Sequence, residues 1–297
     1  MSQNLEIKRY TAAEKTVQAI KAVAPNYTRL KGDFEPTRKD VIAGNNLGEP
    51  FPETKSPQTV KTFGDFKVYA LGEDNSTEVI VYLHGGAYLF GLYPNQVGVM
   101  DDICQKTGKQ VYVVDYGLPI KYNWADAYNL LDQLYASLQA ENKEIILIGD
   151  SAGGGLVLSY VQYLNKKSLK IPTKLILVSP WLDLAMSNPD SKNYEDNDVF
   201  LSVDSLIEAG KLWANGLDLK DYRLSPIFGD LTNIPETLIT TGTSEVMYPD
   251  IMNLSESLAN AGTKVNLLIC ENLYHAFLFF PVEESKFAEE QIIEFID

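Results

Sequence analysis

The 297-residue sequence is poor in the residues that build disulfide frameworks and metal sites. It contains two cysteines and two histidines. Two cysteines form no framework of the kind that stabilises small secreted domains, and Cys270, which lies in an apolar run, is interpreted as a buried thiol. Cysteine and histidine do not occur at a zinc-type spacing. We therefore predict neither a metal nor a cofactor.

Long apolar runs and basic residues are also scarce. No stretch approaches the roughly 20 apolar residues of a membrane span, and the amino terminus lacks the apolar core of a signal peptide. Against 25 Lys and Arg stand 40 Asp and Glu, a formal net charge of -15. Such a surplus disfavours a nucleic acid or an anionic membrane as a partner. We expect a soluble, cytoplasmic protein with no stable membrane association.

What the sequence does contain is the alternation typical of an α/β fold. Hydrophobic residues make up 45% and charged residues 22%, as in globular domains. β-branched runs alternate with segments of helical period, which predicts a mostly parallel sheet flanked by helices in one domain over residues 1–297. The strands are predicted at 65–71, 78–84, 110–116, 144–149, 174–180, 237–242 and 265–270, and the clearest helices at 123–140, 249–262 and 284–297.

Two segments do not follow the alternation, residues 1–60 and residues 185–221. Ligands of α/β proteins bind at the carboxyl edge of the sheet. We therefore interpret both segments as a helical cap or lid over that edge. The alternative is that they are long surface connections.

The pentapeptide Gly149-Asp150-Ser151-Ala152-Gly153 has an apolar strand before it and a helical run after it. This is the context of a nucleophile elbow, a tight turn that presents a serine hydroxyl at the sheet edge. A dinucleotide site is disfavoured because Ser151 stands where the second glycine of G-x-G-x-x-G would be. The pattern predicts Ser151 as a nucleophile.

A serine nucleophile needs a base and a group that orients the base. His275 follows a late strand, as a base on a loop at the carboxyl edge would, and we predict it as the base. α/β hydrolases follow the chain order nucleophile, acid, histidine. We favour Glu245 as the acid, with Asp250 second and Asp183 third.

The stretch His84-Gly85-Gly86-Ala87 follows an early strand. An oxyanion that forms during acyl transfer is stabilised by backbone N–H groups aimed at it. We predict Gly85, Gly86 and Ala152 as these donors and His84 as a scaffold for the loop. The alternative is an ordinary glycine turn.

These motifs resemble the hormone-sensitive-lipase-like branch of the α/β-hydrolase esterases. Its marks are an H-G-G-G-type motif, here His84 to Ala87, and G-D-S-A-G-G, here Gly149 to Gly154. The resemblance runs from about residue 60 to the end and implies a Ser151, His275 and Glu245 triad. Where this chain has Glu245-Val246-Met247, the family usually has aspartate, proline and leucine.

The resemblance implies hydrolysis of small carboxylic esters, which we expect to have short acyl chains. Alternatives are an amidase or formamidase with the same triad and a non-catalytic small-molecule receptor. Aromatic residues near the motifs are either an apolar pocket or part of the core, and as pocket residues we predict Tyr88, Trp181 and Tyr274, with Phe90, Phe277 and Trp213 as further candidates. The sequence allows a homodimer but identifies no surface for one.

Overall fold

The computed structural model describes residues 3–27, 29–46 and 50–297. Nine strands of this part form one sheet in the order β1-β9-β8-β7-β6-β4-β5-β3-β2. The strands are β1 (Leu5–Thr11), β2 (Gln58–Phe63), β3 (Phe66–Leu71), β4 (Glu78–Leu83), β5 (Gln110–Asp115), β6 (Glu144–Asp150), β7 (Lys174–Val178), β8 (Glu236–Gly242) and β9 (Val265–Glu271).

Helix α3 (Pro94–Thr107) begins and ends at residues that favour helix boundaries. Pro94 opens α3 and Gly108 follows its end in the left-handed conformation, the asymmetry expected of proline and glycine. No helix of the described residues combines the length and the apolarity that crossing a bilayer requires. The α-helices are α1 (Glu14–Val23), α2 (Glu35–Ala43), α3 (Pro94–Thr107), α4 (Trp124–Ala140), α5 (Ala152–Lys166), α6 (Val203–Ala214), α7 (Tyr248–Asn260) and α8 (Glu283–Ile296), and the 3₁₀ helices are Ala24–Tyr27, Pro189–Tyr194, Pro226–Phe228 and Phe277–Phe279.

The sheet is mostly parallel. Only β2 with β3 and β3 with β5 pair antiparallel among the described strands, whereas β1, β9, β8, β7, β6, β4 and β5 pair parallel in that order. The central strands β4 to β9 are almost continuously buried, because helices cover both faces of a parallel sheet. The predicted α/β-hydrolase architecture is confirmed.

The two strands that the sequence did not predict lie at the sheet edges. β1 pairs with β9, and its alternation of polar and partly buried residues contains no apolar run. Residues 5–11, and residues 58–60 of β2, therefore belong to the sheet and not to a cap. Within the segment 1–60, the cap prediction is restricted to the residues between these strands.

The two segments interpreted as a cap contact each other. Leu30 forms an isolated parallel bridge with Leu201, and the Ser202 N–H donates to the Leu30 carbonyl at 2.8 Å. Arg38 on α2 forms an ion pair with Glu208 on α6. Segments far apart in sequence are thus joined on one side of the molecule.

Helix α5 packs directly on backbone through glycines. A Cβ atom on Gly153 would lie 2.0 Å from the Leu83 carbonyl oxygen, and one on Gly155 would lie 2.1 Å from the Trp181 carbonyl oxygen. Both distances are far shorter than a van der Waals contact. The position of α5, and of the turn before it, therefore depends on these two glycines.

We expect Gly153→Ala to destabilise the fold by about 1–3 kcal/mol, because the added methyl group collides with strand β4. The matched control is Gly98→Ala in α3, where an added Cβ meets nothing within 4 Å. That change is expected to be neutral or to stabilise by up to about 1 kcal/mol, since alanine is the better helix former. Urea unfolding measures both, and equal stabilities of the two variants would contradict the packing account.

Candidate active site

Ser151 occupies the turn between β6 and α5 with φ 50° and ψ -119°. This is a left-handed conformation that a residue with a side chain rarely adopts, and such strain is typical of a nucleophile elbow. The backbone of Ser151 is held on both sides: its N–H donates to the Val178 carbonyl at 2.9 Å, and its carbonyl accepts from the Trp181 N–H at 2.8 Å. The turn therefore fixes the direction of the Ser151 hydroxyl.

His275 and Glu245 are joined to Ser151 in one chain of hydrogen bonds. His275 follows β9, and its Nε2 lies 2.8 Å from the Ser151 Oγ. Its Nδ1 lies 2.5 Å from Oε2 of Glu245, which follows β8. The three residues that the sequence named as nucleophile, base and acid are thus brought together at the carboxyl edge of the sheet.

The Glu245 carboxylate is fully buried and has several donors. Its Oε1 accepts from the Ser179 hydroxyl at 2.9 Å, from the Thr241 hydroxyl at 2.6 Å and from the Gly242 N–H at 3.0 Å. Donors of this kind stabilise an ionised carboxylate away from water. They leave Oε2 to His275.

The alternative acids lie away from His275. The Asp250 carboxylate accepts from the Asn188 amide at 2.7 Å, and burial raises the pKa of Asp250 to about 6. The Asp183 carboxylate accepts from the N–H groups of Ala185 and Ser187. Neither carboxylate contacts the imidazole, so the geometry favours Glu245.

Two opposing effects act on the pKa of His275. Burial lowers it, but the hydrogen bond and the negative charge of Glu245 raise it, and the buried carboxylates Asp198 and Asp150 add to the increase. The net result is a pKa above the usual value for histidine. The surroundings therefore favour a proton on the imidazole.

In the loop after β4, one of the predicted oxyanion donors already has another acceptor. The Gly85 N–H donates to the Asp150 Oδ1 at 2.8 Å, so the prediction that Gly85 is an oxyanion donor is wrong. Gly86 and Ala87 have φ values of 112° and 52°. In the part of the chain that the structure describes, no acceptor pairs with the N–H groups of Gly86, Ala87 or Ala152, the first residue of α5.

Sequence reasoning missed the role of Asp150. Its buried carboxylate accepts from the Tyr82 hydroxyl at 2.5 Å, from the Gly85 N–H at 2.8 Å and from the Gln96 amide at 3.1 Å. Burial raises the pKa of Asp150 to about 6. Asp150 therefore ties the loop after β4 to the turn that carries Ser151. The acidic residue inside the glycine motif was the available signal.

His84 lies beneath this loop. Its Nδ1 lies 2.6 Å from the Gly85 carbonyl oxygen, and its ring stacks on Tyr116 with 4.2 Å between centroids. Burial lowers the pKa of His84 to about 4. A neutral, stacked ring without contact to Ser151 agrees with a scaffold for the loop.

A cavity of about 660 Å³ opens at Ser151. Residues of both predicted cap segments, of the loop after β4 and of the segment after His275 form its wall. No group of three or more His, Cys, Asp or Glu side chains among the described residues is arranged to hold a metal ion. Residues that line the cavity include Tyr27, Arg29, Leu30, Asn46, Gly86, Ala87, Phe90, Tyr93, Ser151, Phe200, Leu201, Leu206, His275, Phe279 and Phe280.

The predicted pocket residues Tyr88, Trp181 and Tyr274 do not line this cavity, and that prediction is wrong. All three side chains are at most 2% exposed. The Tyr88 ring stacks on Trp213 at 4.5 Å, and the Tyr274 ring packs edge-on against Phe200 at 6.1 Å. These rings fill the core beneath the cavity. Of the further candidates, Phe90 lines the cavity, while Phe277 and Trp213 are buried core residues.

Comparison with known proteins places this geometry in a family. The family model with the α/β hydrolase fold matches residues 80–279. An esterase of Acinetobacter venetianus is 30% identical over 227 residues, which cover 74% of this chain and 75% of that protein. An acetyl-hydrolase of Streptomyces hygroscopicus is 27% identical over 265 residues, which cover 86% of each.

Solved structures agree with these relatives. A putative esterase from Staphylococcus aureus has a TM-score of 0.84 and 27% identity, covering 90% of this chain and 94% of that one. An esterase from the bacterial hormone-sensitive lipase family has a TM-score of 0.83 at 21% identity, covering 96% of this chain and 98% of that one, and shares the fold. The chain therefore belongs to the α/β-hydrolase family and is a carboxylic ester hydrolase, as the resemblance of its motifs implied.

Proposed function

We propose that the chain is a serine carboxylesterase that hydrolyses small, short-chain esters through Ser151, His275 and Glu245. The observation that carries the proposal is the unbroken series of hydrogen bonds from the Ser151 Oγ through both imidazole nitrogens to Glu245. The series ends at a cavity that can receive a substrate. The names of the relatives, an esterase and an acetyl-hydrolase, support the same reaction class.

In the proposed mechanism the Ser151 Oγ attacks the ester carbonyl carbon while His275 Nε2 takes its proton. The imidazolium returns this proton to the departing alcohol oxygen, which leaves an acyl group on Ser151. Water then attacks the acyl group with His275 again as the base, and the acid product departs. Glu245 keeps the proton on Nδ1 and stabilises the imidazolium that forms in each half-reaction.

The oxyanion that forms on the carbonyl oxygen needs donors already in place. We propose the N–H groups of Gly86, Ala87 and Ala152. Gly86 and Ala87 line the cavity, and Ala152 begins α5, where the helix dipole favours negative charge. The Asp150 carboxylate accepts from the Gly85 N–H and so holds the loop in which the N–H groups of Gly86 and Ala87 follow.

The cavity is consistent with small, partly apolar esters. Its volume of about 660 Å³ is typical of pockets for drug-sized ligands. Aromatic side chains form part of the wall, among them Phe90, Phe200 and Phe280. We propose that the acyl chain binds against these rings and that their spacing limits its length.

The first test is hydrolysis of p-nitrophenyl esters from acetate to decanoate. We expect turnover to be highest for short chains and to fall at least about 10⁴-fold in Ser151→Ala, because the nucleophile is lost. Ser255→Ala is the matched control: the hydroxyl of this buried serine donates to the Ile251 carbonyl of its own helix at 2.8 Å, and the variant is expected to keep wild-type turnover.

Ester turnover that survives in Ser151→Ala would contradict the proposed nucleophile. A folded wild type that cleaves anilides or N-formyl amides but no ester of the series would contradict the esterase reaction and indicate an amidase with the same triad.

The second test is the pH dependence of kcat/KM. The base acts in its neutral form, so the rate falls as pH drops through the pKa of His275, which lies above the usual value near 6.5. In Glu245→Gln the carboxylate charge is lost, and we expect the inflection to move to lower pH and kcat to fall by up to about 10⁴-fold. Asp250→Asn is the control and is expected to change neither the pH of the inflection nor kcat.

A profile that is flat between pH 5 and 8 would argue against His275 as the base. If the inflection moves in Asp250→Asn but stays in place in Glu245→Gln, the acid that orients His275 is Asp250 and not Glu245.

A further inference from the structure

Arg29 lies on the wall of the same cavity as Ser151 and His275. It is the one Lys or Arg side chain among the residues that line this cavity in the described part of the chain. The remaining charged groups of the wall are His275 and Asp150, and Asp150 is already satisfied by Tyr82, Gly85 and Gln96. Among the described residues of the wall, the positive charge of Arg29 is therefore exposed and not neutralised by a neighbouring carboxylate.

Arg29 is also exceptional among the arginines of the chain. Arg9, Arg38 and Arg223 each form an ion pair with a carboxylate. Arg29 forms none with any described residue, although acidic residues outnumber basic ones by 40 to 25 over the whole chain. With no carboxylate partner among the described residues, the Arg29 guanidinium can donate to an anionic ligand.

The backbone is held at the carbonyl of Arg29 and at the residue that follows it. The Arg29 carbonyl accepts from the Thr37 hydroxyl at 2.5 Å, and the next residue, Leu30, bridges to Leu201. The guanidinium lies 5.0 Å from the centroid of the Phe90 ring. A guanidinium held over a ring face keeps its N–H edge free, and that planar edge matches a carboxylate.

Phe90 connects this cation to the proposed oxyanion loop. The Phe90 N–H donates to the Gly86 carbonyl at 3.0 Å, so the ring that holds Arg29 is anchored one turn from the proposed donors. A ligand whose carbonyl lies at Ser151 therefore occupies the cavity that Arg29 also lines.

The negative charge of the whole protein opposes the binding of an anionic substrate, so a positive charge at the cavity matters for such a substrate. A net charge of -15 repels an approaching anion, but this repulsion is screened over about 8–10 Å at physiological salt. Within that distance the guanidinium of Arg29 is a local cation that favours an anion in the cavity.

On the basis of the proposed esterase function, we propose that Arg29 selects esters that carry a carboxylate beyond the scissile bond, such as the monoesters of short dicarboxylic acids. The ester carbonyl binds at Ser151, and the free carboxylate accepts hydrogen bonds from the Arg29 guanidinium. Arg29 is a specificity-determining residue and takes no part in proton transfer.

The test compares monoethyl glutarate, which is anionic, with ethyl pentanoate, which is neutral and has the same acyl chain length, by the ethanol released. In Arg29→Gln we expect KM for the half-ester to rise about tenfold with kcat nearly unchanged, because the interaction is made equally before and during reaction. The kinetics with ethyl pentanoate should stay within about twofold. Arg29→Lys should restore part of the loss, since a lysine keeps the charge but not the planar fork.

Arg9→Gln is the matched control. It removes one positive charge from β1, at the edge of the sheet, and should leave the kinetics with both esters unchanged. Raising the NaCl concentration should increase KM for the half-ester in the wild type and in Arg9→Gln, but not in Arg29→Gln.

A second readout does not need turnover. Binding of monoethyl glutarate to Ser151→Ala is measured by calorimetry, with and without Arg29→Gln. We expect about tenfold weaker binding without the arginine. Equal affinities, or KM changes of the same size for both esters, would overturn the role of Arg29. Failure of the wild type to cleave either ester, with half-ester binding still dependent on Arg29, would refute the esterase reaction and leave anion recognition standing.

Discussion

The site depends on the turn at Ser151, and that turn depends on backbone atoms lying closer than any side chain permits. A Cβ on Gly149 would meet the Gly153 carbonyl at 2.3 Å, and one on Gly153 would meet the Leu83 carbonyl at 2.0 Å. The glycines let α5 begin directly behind β6, and Ser151 takes the left-handed conformation that results. This strained geometry points the hydroxyl at His275 and places the amino end of α5 next to the proposed oxyanion site.

Buried carboxylates connect the turn to the elements around it. Asp150 joins the loop after β4 to the elbow, and Glu245 joins His275 to the ends of β7 and β8. Asp198 accepts from the N–H groups of Leu201 and Val246, so it links the predicted cap segment to the loop of the acid. Each carboxylate accepts hydrogen bonds from local donors, and together the three raise the pKa of His275, which favours the imidazolium of the proposed mechanism.

The sequence was informative where a structural requirement is local. Six of the seven predicted strands, β4 to β9, are buried parallel strands, which are short apolar runs, and β3 is an antiparallel strand whose second half is mostly buried. The edge strands β1 and β2 have few buried residues and resemble loops in the sequence. Ser151 and His275 follow strands in recognisable motifs. The pairing of Gly85 with Asp150 is a contact between different loops, and no local pattern indicates it. The burial of Tyr88, Trp181 and Tyr274 could not be predicted either, because residue type does not tell which side of a loop an aromatic ring occupies.

Covalent trapping tests the central claim, that Ser151 is a nucleophile activated by His275, most directly. The intact protein is treated with a p-nitrophenyl phosphonate, and the adduct is located by mass spectrometry of its peptides. The account predicts one phosphonyl group on the peptide that contains Ser151, formed with release of one equivalent of p-nitrophenol and at a much lower rate in His275→Ala. Ester hydrolysis by a protein that takes up no phosphonate, or an adduct on another residue at the same rate in both proteins, would contradict it.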